Sequence, residues 1–277
     1  MKVVVVGRGK VGRALARELE ERGVTVELER GRSVATHADR RKRVAAEQAA
    51  SEHDTILYLI AVPDAALADV AHGLAGRVKK RDVVLHCAGA RGVEELKACA
   101  DAGAATGVLH PLVSFASSRS FPRLAGATFV AQGSVRALRA GRWLCKQLAA
   151  RCLTAPVIGP AYHAAAALLA NGSAALAYSA QRVLVELGVP KRAAEHALAG
   201  LLSTVAANVA QVGVPTALTG PVARGDAASV RAHLRALAKL SPELALPYRQ
   251  VQPIIQACAQ ALHASQAQAK RRDQRQR

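Results

Sequence analysis

The first twelve residues constrain this chain more than any other stretch. Val3 to Val6 is an unbroken valine run, as expected of a strand buried on both faces of a parallel sheet. It leads directly into Gly7-Arg8-Gly9-Lys10-Val11-Gly12. Helical periodicity begins at once, with Leu15 and Leu19 on one face and charges on the other. A G-x-G-x-x-G string alone is a weak signal. Between a strand and a helix it predicts a turn that holds a pyrophosphate. Gly7 makes the turn, Gly9 lets backbone approach the phosphates, and Gly12 lets the helix pack close to the strand. Arg8, Lys10 and Val11 share that turn, and the helix N-terminus offers free N–H groups and a positive dipole end.

Strand and helix signals then alternate through the first half. Strands are expected at Val24–Leu28, Thr55–Val62, Val83–His86 and Ala104–Val108, with weaker ones at Thr128–Ala131 and Thr154–Ile158. Helical patterns fall at Val11–Arg22, Ala65–Leu74, Val93–Ala102 and Val135–Ala150. This alternation predicts a parallel sheet covered by helices on both faces, an α/β Rossmann architecture. After Pro156 and Pro160 the strand signals vanish. Ala161–Leu187, Lys191–Val212, Ala227–Lys239 and Pro247–Gln268 all read as helices, separated by Gly- and Pro-containing breaks. The expected organisation is a dinucleotide-binding domain over residues 1–158, an all-α domain over 159–268 and a basic tail over 269–277, the tail being a solvated, frayed helix end.

The end of the second strand selects the nucleotide. A carboxylate there would hold a ribose 2′-hydroxyl, as NAD requires, and Glu29 is placed for it. Arg30, Arg32 and Ser33 follow immediately, and residues 29–43 carry six basic and two acidic side chains. A guanidinium fork and a hydroxyl suit a 2′-phosphate, so NADP(H) is favoured over NAD(H). Arg40 to Arg43 read as a solvated face. Val62 and Pro63 close the third strand and would wall the nicotinamide ribose. Asp64 serves equally well as the cap of the next helix.

Composition narrows the alternatives. Of 277 residues 51% are hydrophobic, which excludes a disordered chain. Aromatics are only 3%, against stacking on single-stranded nucleic acid. The formal charge of +18 speaks to solubility and non-specific contacts, and no nucleic-acid-binding motif accompanies it, so no specific nucleic acid is expected. Two long stretches, 152–181 and 196–223, lack Asp, Glu, Lys and Arg, yet they are Ala-rich and interrupted, as helices buried in a bundle or a dimer core are; no membrane span is expected. The five cysteines form no C-x-x-C pair, so neither a disulfide framework nor a metal site is expected. No signal peptide precedes the first strand, and a cytoplasmic location is the default expectation.

Four further strings appear in order: His86-Cys87-Ala88-Gly89-Ala90, then Gly107-Val-Leu-His110-Pro111-Leu112-Val-Ser114-Phe115, then Tyr162-His163 with Asn171, then Leu218-Thr219-Gly220-Pro221-Val-Ala-Arg224-Gly225-Asp226. Together they resemble the Rossmann-like proteins that carry a C-terminal domain of unknown function 2520, over nearly the whole chain. The resemblance implies an NADP-dependent oxidoreductase similar in layout to ketopantoate reductase and pyrroline-carboxylate reductase. One departure stands out: Ala88 occupies a position where the family often has Ser. That loss of a hydroxyl leaves a second reading open, a non-catalytic NADP(H)-binding sensor.

The chemistry expected is hydride transfer to or from a small carbonyl, imine or hydroxy compound bound between the two domains. The cofactor carries the hydride and the protein must manage one proton. Lys is absent from residues 159–187. The candidate catalytic groups are therefore His110, His163 and Asn171; the last two lie eight apart, about 80° around a helix. His86 lies at a strand end, His110 can also brace its turn, and Asp226 is placed to cap a helix. Arg224 is a candidate for binding a carboxylate. A homodimer through the helical domain is the expected assembly.

Overall fold

The structure is a computed structural model and describes residues 1–31, 55–117, 121–155 and 158–276. Its first half is a seven-stranded sheet. The strands are β1 (Lys2–Val6), β2 (Val26–Glu29), β3 (Ile56–Ile60), β4 (Val83–His86), β5 (Ala105–Pro111), β6 (Thr128–Gly133) and β7 (Arg151–Thr154), in the order β2-β1-β3-β4-β5-β6-β7. Between them lie α1 (Lys10–Glu20), α2 (Leu67–Ala75), α3 (Lys97–Asp101) and α4 (Val135–Gln147).

Side chains alternate across each strand, so successive residues of one run feed two cores. Val3, Val5, Leu57, Leu59 and Leu85 pack under α1 and α4 with Leu15, Leu19 and Leu144. Val4, Val6, Tyr58, Ile60 and Val84 pack under α2 and α3 with Leu67, Val70, Leu74 and Leu96. This two-sided burial is why β1 and β3 read as continuous apolar runs.

The sheet is parallel except at one place. β5 and β6 pair antiparallel, with Leu109 opposite Ala131, while β6 and β7 are parallel again across α4. A parallel neighbour needs a crossover, usually a helix. Residues 112–127 contain no helix among those described, and the chain returns in the opposite direction. β7 also falls earlier than the sequence suggests. It covers Arg151–Thr154, because α4 ends at Gln147 and Ala149 turns the chain with φ 51°.

The second half is helical: α5 (Pro160–Glu186), α6 (Lys191–Val212), α7 (Ala227–Leu240) and α8 (Pro242–Gln276). The chain divides into two units, residues 1–170 and 171–277. The first three turns or so of α5 therefore belong with the sheet. α8 starts five residues before the sequence-based boundary, because Pro242 occupies a first helical turn, where its missing N–H costs nothing. α7 is capped by Asp226, whose carboxylate accepts from Ser229 N at 3.0 Å and Ser229 Oγ at 2.6 Å. In α5 no residue is fully buried, and in α6 only Ala194 is. Among the described residues no helix is long and apolar enough to cross a membrane.

Candidate functional site

The chain order reverses between β1 and β3, and in open α/β sheets ligands bind outside the carboxyl ends of the strands at such a switch point. The glycine turn stands there. Gly7 has φ +129°, and a Cβ on it would meet the Ala61 carbonyl oxygen at 2.2 Å. A Cβ on Gly12 would lie 1.9 Å from the Gly7 carbonyl oxygen. Both glycines are therefore required by close packing of α1 and β3 against the turn. Gly9 is different: a Cβ there would meet nothing within 4 Å.

Gly9 is also the N-cap of α1, and no side chain caps that end. The first N–H groups of a helix have no partner within it, so backbone donors and the dipole face the space beside Gly9. This is the cradle a pyrophosphate needs, and the residues present fit one. The flanking cations are oriented: Arg8 donates to Leu28 O at 3.2 Å, and Lys10 donates to Ala116 O at 3.0 Å. Lys10 thereby ties the segment after β5 to the start of α1. Val11 is half-buried against the core.

At the end of β2 the structure separates two neighbours. Glu29 is buried, and its two oxygens accept from Arg77 Nη1 and Nη2, each at 2.9 Å. The Arg77 guanidinium also lies 5.8 Å from the centre of the Tyr58 ring. Arg30 is exposed. Arg32 and Ser33 lie outside the described residues. Half-buried Val62 reaches towards both Gly7 and Gly31, and Pro63 beside it is exposed.

The ends of β4 and β5 bring the histidines together. His86 is fully buried, and its Nε2 lies 2.9 Å from Gly92 O while its Nδ1 accepts from Ala88 N at 3.2 Å. An acceptor at Nδ1 makes Nε2 the donor in the neutral ring. Burial lowers its pKa. His86 thus pins the loop after β4 and leaves that loop's shape fixed.

His110 ends up between two residues of α5. Its Nδ1 lies 2.9 Å from the Tyr162 hydroxyl. Its ring stands edge-on to Tyr162 at 5.5 Å and to His163 at 5.6 Å. Burial and the neighbouring His163 push its pKa down to about 4, so it is neutral at physiological pH and is no imidazolium acid there. Burial pushes the Tyr162 hydroxyl up to about 12. Gly89 makes this cluster possible: a Cβ there would sit 2.6 Å from His110 Nε2 and 2.7 Å from His163 Nδ1. Asn171 lies two turns further along α5, a rise of about 12 Å, and is exposed. The structure joins His110 and His163 but does not bring Asn171 into their group. Sequence reasoning missed Tyr162 and Gly89 as site residues. Both stand within the strings that carry the family resemblance, but no spacing in the sequence set either one against His110.

Two family models cover most of the chain. Residues 1–111 match a Rossmann-like domain, and residues 127–255 match a domain of unknown function, DUF2520. The chain is a Rossmann-like DUF2520 protein. No curated protein matches it. Among solved structures, it is similar to a Bacteroides fragilis protein provisionally named an NADP oxidoreductase, with 21% identity and a TM-score of 0.66, over 92% of this chain and 98% of that one. A Thermotoga maritima protein matches with 23% identity and a TM-score of 0.66, over 94% and 99% of the two chains. Plasmodium falciparum pyrroline carboxylate reductase, solved with NADP bound, has 12% identity and a TM-score of 0.56, over 94% and 99%. At these identities the likeness establishes the shared fold.

Proposed function

We propose that this DUF2520 protein is an NADP(H)-dependent oxidoreductase acting on a small carbonyl, imine or hydroxy compound. The observation that carries the reading is the uncapped start of α1 beside Gly9, which opens onto free space at the sheet's switch point. The names of the Bacteroides, Plasmodium and Streptomyces aurantiacus structures, the last an imine reductase with 18% identity and a TM-score of 0.51, support redox chemistry on this fold. When bound, a nicotinamide cofactor would supply the hydride. Main-chain N–H groups at Gly9 to Val11 would bind its pyrophosphate, and Val62 and Pro63 would shield the ribose beside the nicotinamide. NADP is preferred over NAD in this reading because the Glu29 carboxylate is engaged by Arg77, whereas Arg30 is exposed and is followed in sequence by Arg32 and Ser33. His110 and His163 face the reacting group in this reading.

The test is a fluorescence titration with NADPH and NADH. The expected result is NADPH binding at micromolar concentration and weaker NADH binding, the difference shrinking in Arg30→Ala. Absence of binding of either nucleotide at tens of micromolar refutes the reading.

A homodimer through the helical half is part of the same proposal. Leu168, Leu169 and Tyr178 on α5 and Leu201, Val205, Val209 and Val212 on α6 are all exposed in the single chain. Covering a large apolar side chain contributes roughly 1.5–3 kcal/mol, and a second copy presenting the same surface would do so for both chains. Light scattering on the eluting protein is expected to give twice the chain mass, and Val205→Glu is expected to give the single mass. A wild-type monomer at micromolar concentration refutes this assembly.

A further inference from the structure

The Tyr162 ring packs against the buried cluster of Val108, Val130 and Ile158, while its hydroxyl turns to His110, and both residues are only partly buried. The contact joins residues 52 apart in sequence, at the carboxyl end of β5 and the start of α5. We propose that Tyr162 is the group that delivers the proton to the substrate, with His110 as its hydrogen-bonding partner. This rests on the oxidoreductase reading above.

The chemistry follows from which protons are available. A carbonyl or imine that gains a hydride at carbon must gain a proton at oxygen or nitrogen. His110 is uncharged at neutral pH and carries a single ring proton, so it is a poor sole donor. Tyr162 retains its phenolic proton throughout the physiological range. An alkoxide forming beside it is the stronger base and takes that proton: the Tyr162 O–H bond breaks as the substrate O–H bond forms. The phenolate left behind needs a donor, and His110 Nδ1–H stands 2.9 Å away. As Nδ1 returns a proton to the phenolate, Nε2 takes one up from solvent. Nε2 faces His163 Nδ1 across Gly89, and His163 is exposed, so the replacement proton has a route. The sum is one hydride and one solvent proton added to the substrate. The scheme requires the Nδ1–H tautomer of His110; in the other tautomer Tyr162 would have to donate to the ring and its proton would be committed.

The decisive experiment is a ¹⁵N histidine spectrum of the full-length protein with NADP⁺ present and absent, with Tyr162→Phe used to assign His110. The expected result is a neutral His110 from pH 5 to 8 with Nδ1 protonated, and loss of that tautomer preference in Tyr162→Phe. A cationic ring at pH 7, or protonation at Nε2, overturns the proposal whatever the protein does with nucleotide. In turnover with any carbonyl or imine that supports NADPH oxidation, Tyr162→Phe is expected to lower kcat about 100-fold or more while NADPH affinity is unchanged. A fully active Tyr162→Phe variant overturns the proton role alone. Failure of the wild-type protein to bind NADPH overturns the oxidoreductase reading and the proton role with it, whichever tautomer the spectrum shows.

Discussion

Replacing Gly9 with Ala separates the ligand from the fold. Gly9 has φ −74° and ψ −173°, which any residue adopts, and its Cβ would meet no atom within 4 Å. Ala is a poorer N-cap than Gly by some tenths of a kcal/mol, and the smaller entropy of the unfolded chain offsets a similar amount. The melting temperature of Gly9→Ala is therefore expected within about 2 °C of wild type. The added methyl nevertheless stands where a pyrophosphate would approach the amides. A hydrogen bond to a charged group contributes about 1.5–3 kcal/mol. Losing one raises the NADPH Kd by about 10- to 100-fold. Gly12→Ala is the contrasting case: its Cβ would press on the Gly7 carbonyl, a main-chain atom that cannot rotate away. Overpacking of this kind costs about 1–3 kcal/mol, so it is expected to lower the melting temperature as well as the affinity. NADPH titration and thermal unfolding of the two variants read both effects. Unaltered NADPH affinity in a well-folded Gly9→Ala protein would falsify the placement of phosphate at this turn.

Three further outcomes are expected. Arg77→Ala leaves the buried Glu29 carboxylate without its two-pronged partner; breaking a buried pair costs roughly 3–5 kcal/mol, and the partial exposure of Arg77 puts the loss at the lower end, about 3 kcal/mol. Denaturant unfolding checks this, and Glu29→Gln in the same background should recover part of the loss. Stability should fall with acid between about pH 6.5 and pH 4. Burial lowers the pKa of His86 and of His110, the latter to about 4, so the unfolded chain binds protons that the native one refuses; His110→Asn should flatten the slope, and a flat wild-type profile would contradict the burial of both rings. Finally, Cys152 should alkylate first at pH 7.5. The adjacent Cys145 thiol lowers its pKa, whereas burial pushes Cys87 up to about 12 and Cys99 up to about 11. Mass spectrometry after brief iodoacetamide treatment reads the order, and preferential labelling of Cys87 would refute it.

What the sequence by itself determined is local. A strand, a turn and a helix that are contiguous in the chain show their glycines at fixed spacing, because Gly12 is demanded by the nearby Gly7 carbonyl and Gly7 by its own positive φ, although the Ala61 carbonyl that also excludes a side chain at Gly7 comes from the distant end of β3. The apolar runs of β1 and β3, the helical second half and Asp226 as a cap were legible for the same reason: each depends on periodicity or on one end of one element. Pairings between distant segments decided the rest. Glu29 reads as a ribose ligand until Arg77, 48 residues later, takes both its oxygens. The direction of β6 was set by a connection without a described helix, not by the pattern within the strand. Tyr162 acquires a role only when β5 and α5 bring it against His110, and Gly89 only when two imidazoles need the volume of its missing methyl. No spacing in one dimension records such contacts, since the intervening chain can lengthen or shorten in loops without moving the atoms that meet.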